Sequence, residues 1–460
     1  MTVVMSRKTE VIKEEINMDD LAEKIEETTP SEVPNEDKMA MLKAKLAEAE
    51  AGKLVSIKKE EKKPEPKRSI EYGVIGLGQG GSRLAKCFYQ RGYDAIFLNT
   101  ASVDLDAIDV PSSNKLLLRH AALEGAARDL SIGRASAEAY SEQILDLINN
   151  QLSNSQLLII ATSLGGGSGS GSCSYVCNLA SQTGKPIVVL CVLPMQSEDN
   201  QSKSNALETL SELSKLVQSD KISNIILVDN ARIEAIYKDV SQMDFFNVAN
   251  EAIIEPLHTF NVMSSTQSPV KAIDKMEFGK LISDSGLSVM GEMKVYNYKE
   301  DTALAEAVIS NLNSNLLSSG FDLKQSRYVG VLFLANKKVW DKIPASSINY
   351  SNSIISDMCD HPKGIFRGIY TTDSDEDCVQ VYSFFSGLSF PEERINQLKE
   401  EVKQHSNQTK EKDVKRNLAL NVDTGSTGTV SDVQKIKDKI AASKSAFSKF
   451  SSPVVDRRKT

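Results

Sequence analysis

A chain of 460 residues, 40% hydrophobic and 25% charged, has the material for two or three packed domains and suits a soluble protein. Its net charge of −8 and pI near 5.4 give the body no footprint for nucleic acid, so direct DNA binding is not expected. No apolar run is long enough to span a bilayer, and the charged N-terminus lacks the apolar centre of a signal peptide. The six cysteines (Cys87, Cys173, Cys177, Cys191, Cys359, Cys378) lie in apolar segments and read as buried small hydrophobes in a reducing cytoplasm. The four histidines give Cys173 and Cys177 no matching metal-ligand spacing.

In chain order, residues 1–68 are rich in Lys, Glu and Pro and nearly free of aromatics, which predicts a disordered charged extension. Within it "NEDKMAMLKAKLAEAEAG" has helix formers between a cap at Asn35 and a stop at Gly52, the pattern of a transient or partner-binding helix. Strand-like runs then alternate with helical ones: "EYGVIGL", "AIFLNT", "QLLIIAT", "PIVVLCVL" and "NIILVDN". That order predicts βαβ units and a parallel sheet over residues 69–240. A long helix is expected over 241–262, a smaller mixed α/β domain over 263–390, and a last helix over 391–405. Residues 406–460 return to polar composition, with a basic amphipathic stripe from Asp432 to Lys459.

The densest signal is "ATSLGGGSGSGSCSYVC", which follows the buried-strand pattern "QLLII". A Gly/Ser linker is the ordinary reading, but the strand before it and the helical spacing after it favour a loop that wraps an anion. Glycine there lets backbone amides approach phosphate oxygens, and Ser168, Ser170 and Ser172 add hydroxyl donors. Earlier, "GLGQGG" meets the GxGxxG pattern of a dinucleotide-binding enzyme. The acid that should hold the ribose is missing, because the next strand ends at Asn99. An NAD-dependent oxidoreductase also leaves the second glycine loop unexplained.

The two loops together resemble the tubulin/FtsZ superfamily of polymerising GTPases. "GGGSGSG" (Gly165, Gly166, Gly167, Ser168, Gly169, Ser170, Gly171) is similar to the family's GGGTGTG, with Ser in place of Thr. "GLGQGGS" resembles its first nucleotide loop, "FLNTASVDL" its NTD loop, and "GAARDLSIGRASAE" the segment facing the γ-phosphate. "VLPMQSED", "LVDNARI" and "FFNVAN" follow in the family's order as ribose loop, base loop and central-helix start. The resemblance implies GTP, with Mg2+, held by Gly78, Gln79, Gly80, Gly81, Ser82, Asn99, Ala126, Ala127, the glycine loop and Glu198. Asn230 and Asn250 would read the guanine, and Phe246, one turn before Asn250, would stack on it. Alone, Phe246 would read as core.

"AIDKMEFGKLISDSG" resembles the family's hydrolytic loop, with Asp274 and Glu277 at DxxE spacing. The family carries these acids on the face opposite the nucleotide, so they complete the neighbour's site in a head-to-tail filament. Ala272 replaces the loop's usual Asn, and Ala101 the Asp of NTD, which bears on hydrolysis rate more than on binding. The resemblance implies a cytoplasmic filament, of plasmid- or phage-borne type, that positions DNA or phage particles. A division filament protein and a non-hydrolysing GTP-binding regulator are the alternatives. The basic tail would dock an adaptor protein.

Overall fold

The computed structural model describes residues 67–415, apart from 120–123, 242, 300–301 and 315. The Asn35 helix and the Asp432–Lys459 stripe lie outside these residues. Ten strands form one sheet: β1 (Tyr72–Leu77), β2 (Asp94–Asn99), β3 (Lys115–Leu117), β4 (Leu157–Ser163), β5 (Ile187–Leu193), β6 (Asn224–Asp229), β7 (Gly286–Val295), β8 (Tyr328–Ala335), β9 (Gly364–Thr371) and β10 (Val379–Leu388). Their spatial order is β3-β2-β1-β4-β5-β6-β7-β10-β8-β9.

The first half is parallel and buried on both faces. Along β1, Ile75 and Leu77 join one core while Tyr72 and Val74 join the other, so the strand reads as an unbroken apolar run. Helices cover both faces: α1 (Gly78–Gln90), α2 (Leu130–Ala139), α3 (Ser168–Ala180) and α4 (Asn200–Gln218). A short α5 (Asn230–Ile236) leads to the central helix α6 (Phe245–Met263), followed by α7 (Lys275–Ser283) and, at the end, α8 (Glu392–Lys415).

The strands expected as a separate smaller sheet continue the first one. β7 pairs in parallel with β6 at Asn224–Gly286, Ile225–Leu287 and Ile226–Ser288. On its other side β7 runs antiparallel to β10. The Asn224 amide closes the seam by donating to Ile282 O at 2.9 Å and to Ser288 Oγ at 2.7 Å. β7 carries no clear strand signal because Ser288 and Gly291 interrupt its apolar residues. Ser288 is nonetheless fully buried, its hydroxyl satisfied by Asn224. The last helix also runs on to Lys415, past the expected end at residue 405. All six cysteines are free and buried.

Candidate nucleotide-binding site

β1, β4, β5 and β6 all end at one edge of the sheet, and a cavity of about 600 Å³ opens there. That lies inside the range of roughly 300–1,000 Å³ usual for small-molecule sites. Gly78, Gln79 and Gly80 line it from the start of α1, and Gly165, Gly166, Gly167, Ser168 and Gly169 from the loop into α3. Glu198, Asn230, Phe246 and Asn250 supply the rest of the expected wall. The first turns of α1, α3, α5 and α6 therefore meet at the cavity, each bringing the positive end of its dipole.

The signature glycines divide by task. A Cβ on Gly166 would meet nothing within 4 Å, so its bare backbone faces the cavity. A Cβ on Gly169 would lie 2.7 Å from Leu77 O and from Thr162 Oγ1, and one on Gly171 would collide with Leu130 O. Both are glycine because protein packs against them; Gly169 still lines the cavity, whereas Gly171 does not, which corrects the reading of the whole loop as ligand-facing. α3 accordingly starts inside the loop, at Ser168.

Several expected contacts do not line the cavity. A Cβ on Gly81 would collide with Ala161 O, and Ser82 lies on the buried side of α1. Ser170 donates to Ser163 O at 3.2 Å. Asn99 is buried, its Oδ1 accepting from Thr100 N at 2.8 Å and its Nδ2 donating to Asp104 at 3.1 Å, so it shapes the loop while Asp104 lines the cavity. Ala126 is buried, and a Cβ on Gly167 would lie 2.9 Å from its methyl group. Ala127 and Arg128 have φ of 45° and 63°, and this left-handed step brings Arg128, rather than either alanine, to the cavity. The neighbouring Asp129 caps α2, and the Ser131 hydroxyl and amide hold its carboxyl below the usual carboxylate range.

The sequence reading missed Arg83, Asp104, Arg128, Ser163 and Ser202 in the wall. Arg83 had a signal, since it follows Gln79 by one helical turn. Its guanidinium stands 5.5 Å from the Phe246 ring centroid. Arg128 had none, because two consecutive left-handed residues without glycine cannot be read from residue types. Phe246 is 41% exposed, whereas Phe245 beside it is buried and takes the core position. The Ser202 hydroxyl is buried with no protein partner. An orphaned donor, an open glycine backbone and two arginines suit a phosphorylated ligand, so the residues present fit GTP.

Asp274 and Glu277 lie elsewhere. They form a capping box at the start of α7: Asp274 Oδ1 accepts from Glu277 N at 2.8 Å, and Glu277 Oε2 from Asp274 N at 3.0 Å. Lys275 Nζ stands 3.5 Å from Gln156 Oε1, just before β4, and Ile282 O at the end of α7 accepts from Asn224 at the start of β6. The acids thus sit at the edge where the strands begin, the cavity where they end. Between these edges runs α6, 19 residues and about 28 Å long.

Two family models match the chain: "Tubulin/FtsZ family, GTPase domain" over residues 71–238 and "Tubulin/FtsZ-like protein TubZ-like, C-terminal domain" over 259–399. The chain belongs to the tubulin/FtsZ family. By that membership it is a GTPase, and the dinucleotide alternative falls away. The tubulin-like protein TubZ of Bacillus cereus is 23% identical over 374 residues, spanning 73% of this chain and 85% of the relative. Among solved structures, a GTPγS-form protofilament of Bacillus thuringiensis serovar israelensis TubZ matches with TM-score 0.68 at 20% identity, over 77% of this chain and 96% of that one. A TubZ described as a type III plasmid segregation protein matches with TM-score 0.65 at 19% identity, over 75% and 95%. At such identities the structural likeness speaks for the tubulin-like fold.

Proposed function

We propose that this protein polymerises head to tail with GTP and hydrolyses it where subunits meet. The observation that carries the reading is the separation of cavity and acids. Among the described residues lining the cavity, the carboxylates are Asp104, engaged by Gln79 and Asn99, and Glu198, which accepts from Met195 N at 2.8 Å. Each already accepts hydrogen bonds from the protein around the cavity. Asp274 and Glu277, exposed or half-exposed at the opposite edge, would serve the subunit stacked on them. Within the cavity, Phe246 would stack on guanine, Asn230 and Asn250 would pair with its edge, and the helix N-termini with Arg128 would meet the phosphates. Mg2+ would be carried chiefly by those phosphates, with Asp104 and Glu198 the nearest carboxylates in the wall.

The match of residues 259–399 to the TubZ-like domain favours a segregation filament over a division filament. In this reading the protein works in the cytoplasm and moves or centres DNA or phage particles. Among the described residues no helix is long and apolar enough to cross a membrane. The tail beyond residue 430 would hold the cargo's adaptor protein. Turnover measured against protein concentration tests the core of the proposal. GTPase activity per subunit should vanish below a threshold and rise above it, together with light scattering. Activity independent of concentration would overturn it. Removing residues 431–460 should leave GTP binding intact and abolish adaptor capture from cells.

A further inference from the structure

The C-terminal helix reaches the nucleotide cavity from behind at two points. Arg394, on the first turn of α8, donates from Nε to Asp229 Oδ2 at 2.6 Å and from Nη2 to Oδ1 at 3.3 Å. Both side chains are almost wholly buried, at 6% and 2% exposure. Asp229 ends β6 and is the N-cap of α5, its Oδ1 accepting from Ala231 N at 3.1 Å. The next residue, Asn230, lines the cavity. Two turns further along α8, Glu401 pairs at 2.8 Å with Lys203, which itself donates to Gln196 O at 2.9 Å in the loop that carries Glu198. Lys203 is buried and follows the cavity residue Ser202.

A forked, buried arginine fixes a carboxylate in plane as well as in place. Here it fixes the carboxylate that starts α5, and so the direction in which Asn230 leaves the sheet. Asp229 could cap α5 without Arg394, but its side chain would then be buried as an unpaired charge and would have to turn. We infer that Arg394 is a positioning residue for base recognition: through Asp229 it sets Asn230, and the start of α8 thereby controls which purine the cavity prefers. The Lys203–Glu401 pair steadies the opposite wall, where the ligand's identity is not read. The inference rests on the reading of Asn230 as a guanine contact.

The test compares GTP with ITP, which lacks the 2-amino group that an Asn carbonyl would accept from. Displacement of a fluorescent GTP analogue is measured on the full chain, below the assembly threshold. Wild-type protein should prefer GTP, and if it binds neither nucleotide the GTP reading itself fails. Arg394→Lys keeps the charge but loses the fork, and should weaken GTP at least tenfold and ITP less than threefold. Asp229→Asn keeps the N-cap acceptor while unpairing Arg394, and should do the same if the lysine variant does not fold. Glu401→Gln should weaken both nucleotides equally or leave both unchanged. A folded Arg394→Lys or Asp229→Asn protein that keeps the wild-type GTP/ITP ratio would overturn the inference, since loss of stability alone lowers both affinities together.

Discussion

Phe245 and Phe246 stand edge to face at the start of the central helix, ring centroids 5.5 Å apart, one in the core and the other on the cavity wall. Neighbours of identical chemistry should therefore fail in different ways. Phe246→Ala should weaken GTP by about 1–3 kcal/mol, the scale of a base–aromatic stack, with little change in melting temperature. Phe245→Ala should cost about 3–5 kcal/mol of stability. Nucleotide displacement and thermal melts decide it. An intact affinity in Phe246→Ala would remove the stacking role.

Replacing Glu277 by alanine confounds two effects, because its carboxylate also accepts from Asp274 N. Glu277→Ala should lose about 1 kcal/mol with the capping box. Glu277→Gln keeps an acceptor at that position and should melt like wild type. Both variants should assemble with GTP into filaments that persist, with turnover reduced at least tenfold. Normal turnover in Glu277→Gln would exclude the acid from the chemistry.

The glycine loop offers a second matched pair. Gly171→Ala meets Leu130 O and should destabilise by about 1–3 kcal/mol, although alanine is the better helix former. Gly166→Ala meets no protein atom, so it should leave the melt unchanged and weaken GTP instead. If Gly166→Ala binds GTP normally, the ligand does not approach that backbone.

Burial holds the His258 imidazole below its usual 6.5, while Glu255 pulls in the opposite direction. Its ring faces Tyr93, whose hydroxyl lies 3.0 Å from Nδ1, and its charged neighbours are Arg68, Arg91, Glu251 and Glu255. As pH falls through 6.5 the unfolded chain takes up a proton that the native state resists, so stability declines in that window and is unaffected above it. His258→Gln should flatten the loss between about pH 5 and 7, read from urea melts at the two ends. An unchanged pH profile in the variant would assign the dependence to other groups.

Much of this fold was legible because buried parallel strands are unbroken apolar runs, and β1, β2, β4, β5 and β6 all read that way. Phe246 and Asn250 were read from their place in the family's order of motifs, since spacing alone left Phe246 in the core. What stayed hidden depends on partners distant in the chain. β7 looks broken until Asn224 satisfies Ser288, and Arg394 is one more cation on a charged helix until it meets Asp229. The end of α8 was misjudged because "SNQTKEKDVK" has no apolar stripe to mark a helix. Asn99, Ala126 and Gly171 were legible as motif members but not as scaffold, since a motif gives order along the chain and not which way a backbone turns.

Cavity and acids occupy opposite ends of the same parallel strands, and this has a mechanical meaning. Tension applied between those ends travels along covalent backbone through β1, β4, β5 and β6, rather than peeling one strand from the next. The seam between β6 and β7 is different, for only three residue pairs and the Asn224 amide join the strands there, and α7 also leans on the central helix through the stacked rings of Phe260 and Phe278. In the proposed filament, tension would fall first on that short joint or on the contacts between subunits, while the nucleotide-holding half kept its shape.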